Sequence, residues 1–353
     1  MLVPQVTTVD DAVVTWRLPD PQRQLDDVRL WCDFDLGDTT FAAVDGGWEL
    51  SRVRCALPEV DRLEYQFEVT RDDRTESTLD PGNPRRVGGA FGDHSWLALG
   101  YRPPAWLAQP SRPGTRRCCP VAGTPVGDVD VVIWSPAGTA ATEQVPLLLC
   151  HDGPEMDALG ELTRFVAAMI GLGRIPPVRV ALLTPGSRDE RYAANPAYAA
   201  ALVDAVLPAL RKRVPTRGRP VLMGQSLGAV AALHAEWTHP GTFAGLLLQS
   251  GSFFTPELDA HESDYAHWEA VTDFVATVHR ADHAPSDPAV GICFGIAEEN
   301  AANNRRLAAT LTARGVPVAV GEVRDGHTFT CWRDLLDPNL SDLLALVLTE
   351  EES

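Results

Sequence analysis

Residues 221–228 read Val-Leu-Met-Gly-Gln-Ser-Leu-Gly, and the order of residue types along them decides the fold. Three apolar residues, 221–223, have the look of a short buried strand. Gly224-Gln225-Ser226-Leu227-Gly228 then forms a G-x-S-x-G string, and the alanine-rich run from Ala229 onward reads as a helix. Glycine and serine are common, so the string by itself is weakly specific. Its position between a buried strand and a helix is what a nucleophile elbow requires: a sharp turn that lifts a serine hydroxyl clear of the sheet. Ser226 is thereby placed at a helix N-terminus, where free N–H groups favour developing negative charge.

The segments on either side repeat the same alternation. VPLLLC (residues 145–150), VRVALL (178–183), FAGLLLQ (243–249), VGICFGI (290–296) and VPVAVGEV (316–323) are near-continuous apolar runs. Helical spacing separates them, at residues 157–173, 195–214, 226–240 and 301–315. Buried strands alternating with helices imply a mostly parallel sheet covered on both faces. The fold class expected is α/β, an α/β-hydrolase domain over residues 128–353 that begins with the strand VDVVIWSP. Residues 253–288 are polar, carry His261, His267, His279, His283 and Trp268, and interrupt the alternation. A lid-like insertion with surface histidines is the expectation there.

Residues 1–103 read differently. VVTWRL, VRLWCDFD, GWELSRV and LEYQFEVT are short, rich in β-branched and aromatic residues, and separated by turn clusters. They predict an all-β immunoglobulin-like sandwich, closed by the Pro/Gly-rich loop DPGNPRRVGG at 80–89. Residues 104–127 are dominated by proline, glycine and arginine and read as an irregular linker.

A serine hydroxyl is a poor nucleophile at neutral pH without a base. In this fold the chain order is serine, acid, histidine. Among the histidines that follow the elbow helix, His327 is the one in a loop after the last strand, so His327 is the expected general base. The acid belongs in the loop after residues 291–296, which supplies Glu298 and Glu299; Glu298 is preferred, and Asp325 is a rival close to His327. Its task is to fix the imidazole tautomer and stabilise the imidazolium. The oxyanion donors expected are the N–H of Leu227 and an N–H of the loop His151-Asp152-Gly153, since Pro154 has none to give.

Composition narrows the partners. A formal net charge of −18 argues against general affinity for nucleic acid or anionic membranes. The pairs Arg85–Arg86 and Arg116–Arg117 read as loop charge. The seven cysteines are irregularly spaced, without a CxxC pair. The beginning, MLVPQVTTVDD, has neither a basic region nor an apolar core, so a cytoplasmic protein with reduced thiols and without a membrane segment is expected. The four histidines of 253–288 form no tight ligand set, so no metal site is expected.

With these residues in view, the chain resembles the enterochelin (ferric enterobactin) esterase family along nearly its whole length. DPGNP followed by a Gly-Gly pair, the Asp152-Gly153 turn, GQSLG, QSGSFF (249–254), GIAEE and GHTFTCWR (326–333) occur in the family's order. The resemblance implies a β-sandwich ahead of an α/β-hydrolase that cleaves the ester linkages of catecholate siderophores. It implies Ser226 and His327 as the catalytic pair, with Glu298 as the acid. Arg188 and Glu190 resemble an Arg–Glu pair of the family, Arg188 and Arg191 are candidates to neutralise an anionic catecholate, and Trp332 and Arg333, in a structured loop after the histidine, join them as candidate substrate-binding residues. The substrate implied is a small-molecule ester. The chemistry needs no cofactor, and iron enters as substrate cargo. Pro154 and Thr328 depart from the family pattern and mark a divergent branch.

Two other readings remain open on sequence. Trp31 and Trp48, expected in the sandwich core, would serve as a sugar platform if the enzyme were a feruloyl or acetyl esterase. Loss of the oxyanion donor at Pro154 would suit a hydrolase-fold binding protein without turnover. Sequence leaves the oligomeric state undetermined.

Overall fold

A computed structural model describes residues 7–9, 13–54, 57–90 and 92–350. Most of the N-terminal stretch considered for a leader, and Cys55, lie outside the described residues. Two compact units result: one holds residues 1–102 with two short segments, 295–299 and 323–331, and the other holds the remainder.

The first unit contains two antiparallel sheets. One orders Thr8–Val9, Val13–Pro19, Gly47–Val53 and Ala42–Val44; the other orders Asp27–Trp31, Arg62–Arg71, Gly92–Ala98 and Arg86–Gly89. Strict alternation along Val13–Pro19 buries Val14, Trp16 and Leu18 on one face, as a half-solvated sheet requires. These meet Leu30, Leu63, Tyr65, Phe67 and Leu97 in one core, with Trp16 edge-on to Tyr65. Trp16 is the wholly buried tryptophan; Trp48 packs on the core only in part, and Trp31 is likewise half-buried, against the expectation for both. In the 80–89 loop, Asp80 is fully buried and accepts the Tyr65 hydroxyl at 2.6 Å, which fixes the turn by a charge-assisted bond. Ala297, from the segment 295–299, packs against this same core.

The second unit carries the sheet read from the elbow. Its strands are β1 (Thr115–Cys118), β2 (Val131–Ser135), β3 (Leu147–Cys150), β4 (Arg179–Leu183), β5 (Val221–Gln225), β6 (Gly245–Gln249), β7 (Ala289–Gly295) and β8 (Val318–Val323). Their order in the sheet is β1-β2-β4-β3-β5-β6-β7-β8. The β3–β4, β3–β5, β5–β6 and β6–β7 pairs are parallel, while β1–β2 and β2–β4 are antiparallel. Every residue of β3, β4, β5 and β6 is buried, which explains their near-continuous apolar reading. This is the α/β-hydrolase arrangement expected.

Four local expectations change. Residues 104–127 are not an irregular linker throughout: they hold β1, and Val121–Thr124 pairs antiparallel with Gly127–Val129. The run VPVAVGEV is not a buried strand: β8 lies at the sheet edge, and Val320 is 50% exposed. Periodicity cannot separate an apolar edge strand from a central one. The stretch 157–173 is two helices, Gly153–Leu159 and Leu162–Gly171, broken where Glu161 takes φ 53°. Residues 253–288 are not a lid throughout. Helix Trp268–Arg280 buries Val271, Phe274, Val275 and Val278 in the main core as the crossover from β6 to β7, so the irregular part is its first half. No helix of the described residues is long and apolar enough to cross a membrane.

Candidate active site

The candidate nucleophile stands where β5 ends. Ser226 has φ 55° and ψ −122°, a conformation L-residues rarely adopt, and it caps helix Leu227–Thr238. Such a residue persists only where its surroundings over-determine it. Here Ser226 N–H donates to Gln249 O at 2.9 Å, and Ser226 O accepts from Ala229 N–H at 3.0 Å. Gly224 is required for closeness: a Cβ there would lie 2.1 Å from the Gly228 carbonyl oxygen. The turn thus holds the half-exposed Ser226 side chain above a fully buried strand.

The loop after β3 is fixed with equal care. Gly153 packs so tightly on β4 that a Cβ would sit 2.4 Å from Leu182 Cα. Asp152 takes φ 48° and precedes helix Gly153–Leu159, in which the Met156 N–H makes a bond back to Asp152 O at 2.8 Å. The backbone N–H of Leu227 and that of Gly153 each stand in the first turn of a helix, where donors lack intrahelical acceptors. His151 is fully buried, and its Nδ1–H donates to Gly228 O at 3.0 Å, joining this loop to the first turn of the nucleophile helix. Burial holds its pKa down to about 3, so it is a neutral strut and not a base.

Arg188 does not pair with Glu190, which is exposed. Its guanidinium forks onto the buried Asp152 carboxylate at 2.9–3.1 Å. Burial raises the Asp152 pKa and the Arg188 charge opposes it, so the pair braces the loop. Arg191, expected to meet substrate, is buried and donates to the carbonyls of Pro185, Val126 and Asp128. Its charge is consumed in tying those loops. Trp332 is a packing residue whose Nε1 donates to Ser250 Oγ at 2.8 Å, while Arg333 pairs with Asp334 at 2.8 Å and Glu161 at 3.7 Å. Sequence reasoning missed Ser252, a buried residue whose Oγ lies 3.0 Å from Ser226 Oγ.

The acid and base candidates belong to the first unit. His327 Nδ1 is 3.5 Å from Glu298 Oε2, and the Glu298 side chain is fully buried. At that length the contact is chiefly electrostatic. Burial pushes the His327 pKa down, but the adjacent Glu298 carboxylate, then the charges of Asp33 and Glu299, outweigh it and lift the pKa above the usual value. The three acid candidates separate by environment. Glu299 is exposed, whereas Asp325 is buried and committed to the Arg62 guanidinium and to the Gly326 N–H at 2.9 Å.

The histidine loop is held by the sandwich strand Arg62–Arg71. Arg62 pairs with Asp325, and Glu64 accepts from the Thr330 hydroxyl. Thr328, at a position where an aspartate often stands, accepts the Cys331 N–H at 3.1 Å and so caps helix Phe329–Asp334, a job either residue type performs. Gly326 lies on the Phe34 ring, 2.2 Å from where a Cβ would point. Asp33 is a further sandwich residue acting here: burial, working against the lowering pull of the His327 charge, lifts its pKa to about 6.

This arrangement fixes a pH expectation. A general base must be neutral, so kcat/KM should fall as pH drops through the raised His327 pKa, with a midpoint above the ordinary histidine value of about 6.5. Asp33→Asn removes one raising charge and should move that midpoint down. A native midpoint at or below 6.5, or one unmoved by Asp33→Asn, contradicts this electrostatic account.

The family described as Putative esterase matches residues 124–343, more than half of the chain. The chain belongs to the putative esterase family. Its expected class, a carboxylic ester hydrolase, is that of the family. An iron(III) enterobactin esterase of Escherichia coli O6:H1 is 26% identical over 315 residues, covering 82% of this chain and 72% of that protein. One of Dickeya dadantii is 28% identical over 201 residues, 54% of this chain and 46% of that protein. Among solved structures, the ferric enterobactin esterase of Salmonella typhimurium superimposes with a TM-score of 0.76 at 21% identity, covering 96% of this chain and 94% of that one. The Shigella flexneri enterobactin esterase, determined in the presence of enterobactin, gives 0.75 at 21% identity, covering 96% and 95%. A ferulic acid esterase gives 0.56 at 15% identity, covering 67% of this chain and 99% of that one. The structural matches establish the fold, and the resemblance to enterochelin esterases read from the motifs agrees with the sequence relatives.

Proposed function

We propose that this chain is a serine esterase of the cytoplasm that hydrolyses the ester linkages of a catecholate siderophore. In this reading Ser226 is the nucleophile, His327 the general base, and Glu298 the carboxylate that orients it. The observation that carries the chemistry is the strained elbow at Ser226, set between a fully buried strand and a helix N-terminus. The buried Glu298 carboxylate beside His327 supports the acid assignment over Glu299 and Asp325. The substrate class rests on likeness to enterobactin esterases that extends through 96% of the chain.

The reaction is acyl transfer in two steps. Ser226 Oγ attacks the ester carbonyl carbon while its proton passes to His327 Nε2, and the carbonyl oxygen becomes an oxyanion facing the N–H groups of Leu227 and Gly153. The C–O bond to the seryl alcohol of the siderophore breaks as that alkoxide takes the proton back from His327. Water, deprotonated by the same histidine, then attacks the acyl-enzyme and returns Ser226. Glu298 stays ionised and holds the imidazolium. Glu298 accepts from Nδ1, which leaves Nε2 facing the serine. Iron is cargo of the substrate and takes no step.

Product analysis by mass spectrometry tests the substrate class. A dihydroxybenzoylserine trilactone should open to the linear trimer, each cleavage adding one water, and then shorten to dimer and monomer. Turnover of feruloyl or acetyl esters with the trilactone left intact would transfer the assignment to a carbohydrate-linked esterase.

A further inference from the structure

The loop after β6 places a second hydroxyl on the nucleophile, and several clamps hold it there. Ser250, at φ 47°, donates its N–H to Cys293 O at 2.8 Å, and its Oγ accepts Trp332 Nε1 at 2.8 Å. Gly251 N–H donates to Asn304 Oδ1 at 3.0 Å, and Gly251 O accepts Asn304 Nδ2 at 2.8 Å. Asn304 is itself fully buried and braced by Asn300 and Asn303. Phe253 folds back over Gly251, so that a Cβ there would lie 2.0 Å from its ring. Ser252 N–H donates to Ser226 O at 3.2 Å, which fixes the two residues to each other through the main chain. The result is a Ser252 side chain only 3% exposed, with its Oγ 3.0 Å from Ser226 Oγ.

A buried hydroxyl needs a partner, and a hydroxyl has one hydrogen to donate. If Ser226 donated to Ser252, its proton would point away from any base. The useful polarity is the reverse: Ser252 donates to a lone pair of Ser226, and the Ser226 hydrogen is left for transfer. That bond selects one rotamer of a half-exposed side chain that would otherwise sample three.

We propose that Ser252 is a positioning residue for the nucleophile: its hydroxyl donates to Ser226 Oγ and holds that oxygen in the attacking rotamer. This rests on the reading of Ser226 as nucleophile. Once Ser226 is acylated its Oγ is an ester oxygen and a weaker acceptor, so the contact acts chiefly on the acylation step. The effect belongs in the acylation rate constant and in the rate of Ser226 modification and leaves the substrate dissociation constant alone, because Ser252 touches the nucleophile and not the substrate.

The test uses the full chain, a fluorophosphonate probe and an activated aryl ester, with the melting temperature recorded for each variant. Ser252→Ala should slow both fluorophosphonate inactivation and the acylation burst of the aryl ester by about tenfold, the size of one modest hydrogen bond. The substrate dissociation constant, from the concentration dependence of the burst, should stay within about twofold and the pH midpoint should not move. Ser252→Cys fills the same space with a weak donor and should be as slow as the alanine variant. Ser252→Thr keeps the hydroxyl and should recover most of the rate. Folded alanine or cysteine variants that react at the native rate overturn the proposal, as does weaker substrate binding with the acylation rate constant unchanged. Labelling that survives Ser226→Ala overturns the nucleophile reading itself, and the role of Ser252 with it.

Discussion

Ser226→Ala is expected to lower kcat on any ester substrate by about a millionfold while leaving substrate binding nearly unchanged. The size follows from what a nucleophile contributes in an enzyme whose catalytic residues act as a unit, where removing one of them costs about as much as removing all. Oxyanion donors at Leu227 and Gly153 do not depend on the Ser226 side chain, so a small catalytic residue over water should remain. The fold should survive. Ser226 is half-exposed, and its structural hydrogen bonds to Gln249 and Ala229 run through its main chain. Steady-state kinetics on an aryl ester, with circular dichroism as control, reads the effect; a loss smaller than about a hundredfold in a folded variant would remove Ser226 from the chemistry.

Arg62→Ala is expected to destabilise the first unit by about 3–5 kcal/mol, the range for breaking a buried pair and stranding its partner. Arg62 and Asp325 are 2% and 4% exposed, so deleting the guanidinium takes a buried counter-charge from the Asp325 carboxylate. Glu64, 3.5 Å from Arg62 Nε, loses the same neighbour. The Asp325 loop carries His327 two residues further on, so kcat should fall together with stability. Denaturant unfolding of the single variants and of Arg62→Ala/Asp325→Ala gives the decisive comparison. The double variant leaves one fewer stranded charge and should be more stable than the sum of the two losses. Additive losses, or a change within about 0.5 kcal/mol for Arg62→Ala, would show that the pair does not hold the loop.

The elbow was legible because three local signals agree within eight residues: an apolar strand, two glycines at the turn and an alanine-rich helix. His327 was reached by chain order, which depends only on connectivity. Other features were not legible, for physical reasons that can be named. Glu298, Glu299 and Asp325 are chemically alike in a one-dimensional string. They differ in burial and in Arg62, which stands 263 positions from Asp325 and carries no local mark. Ser252 is an ordinary serine until the turn at Ser250 points it toward the elbow. The expected lid concealed a core helix because helix Trp268–Arg280 presents charge on its outer face and apolar residues on the inner. Arg191 was read as a ligand for anions because a sequence cannot show the three backbone carbonyls that occupy it.

The central claim is that Ser226 is the nucleophile of an esterase. Intact-mass measurement of the full chain after exposure to a fluorophosphonate, followed by peptide mapping, tests it most directly. The account predicts one adduct per chain, on the peptide that contains Ser226, with esterase activity lost in proportion to labelling. An unlabelled chain that still hydrolyses esters, or an adduct on any other residue with activity lost, would contradict it.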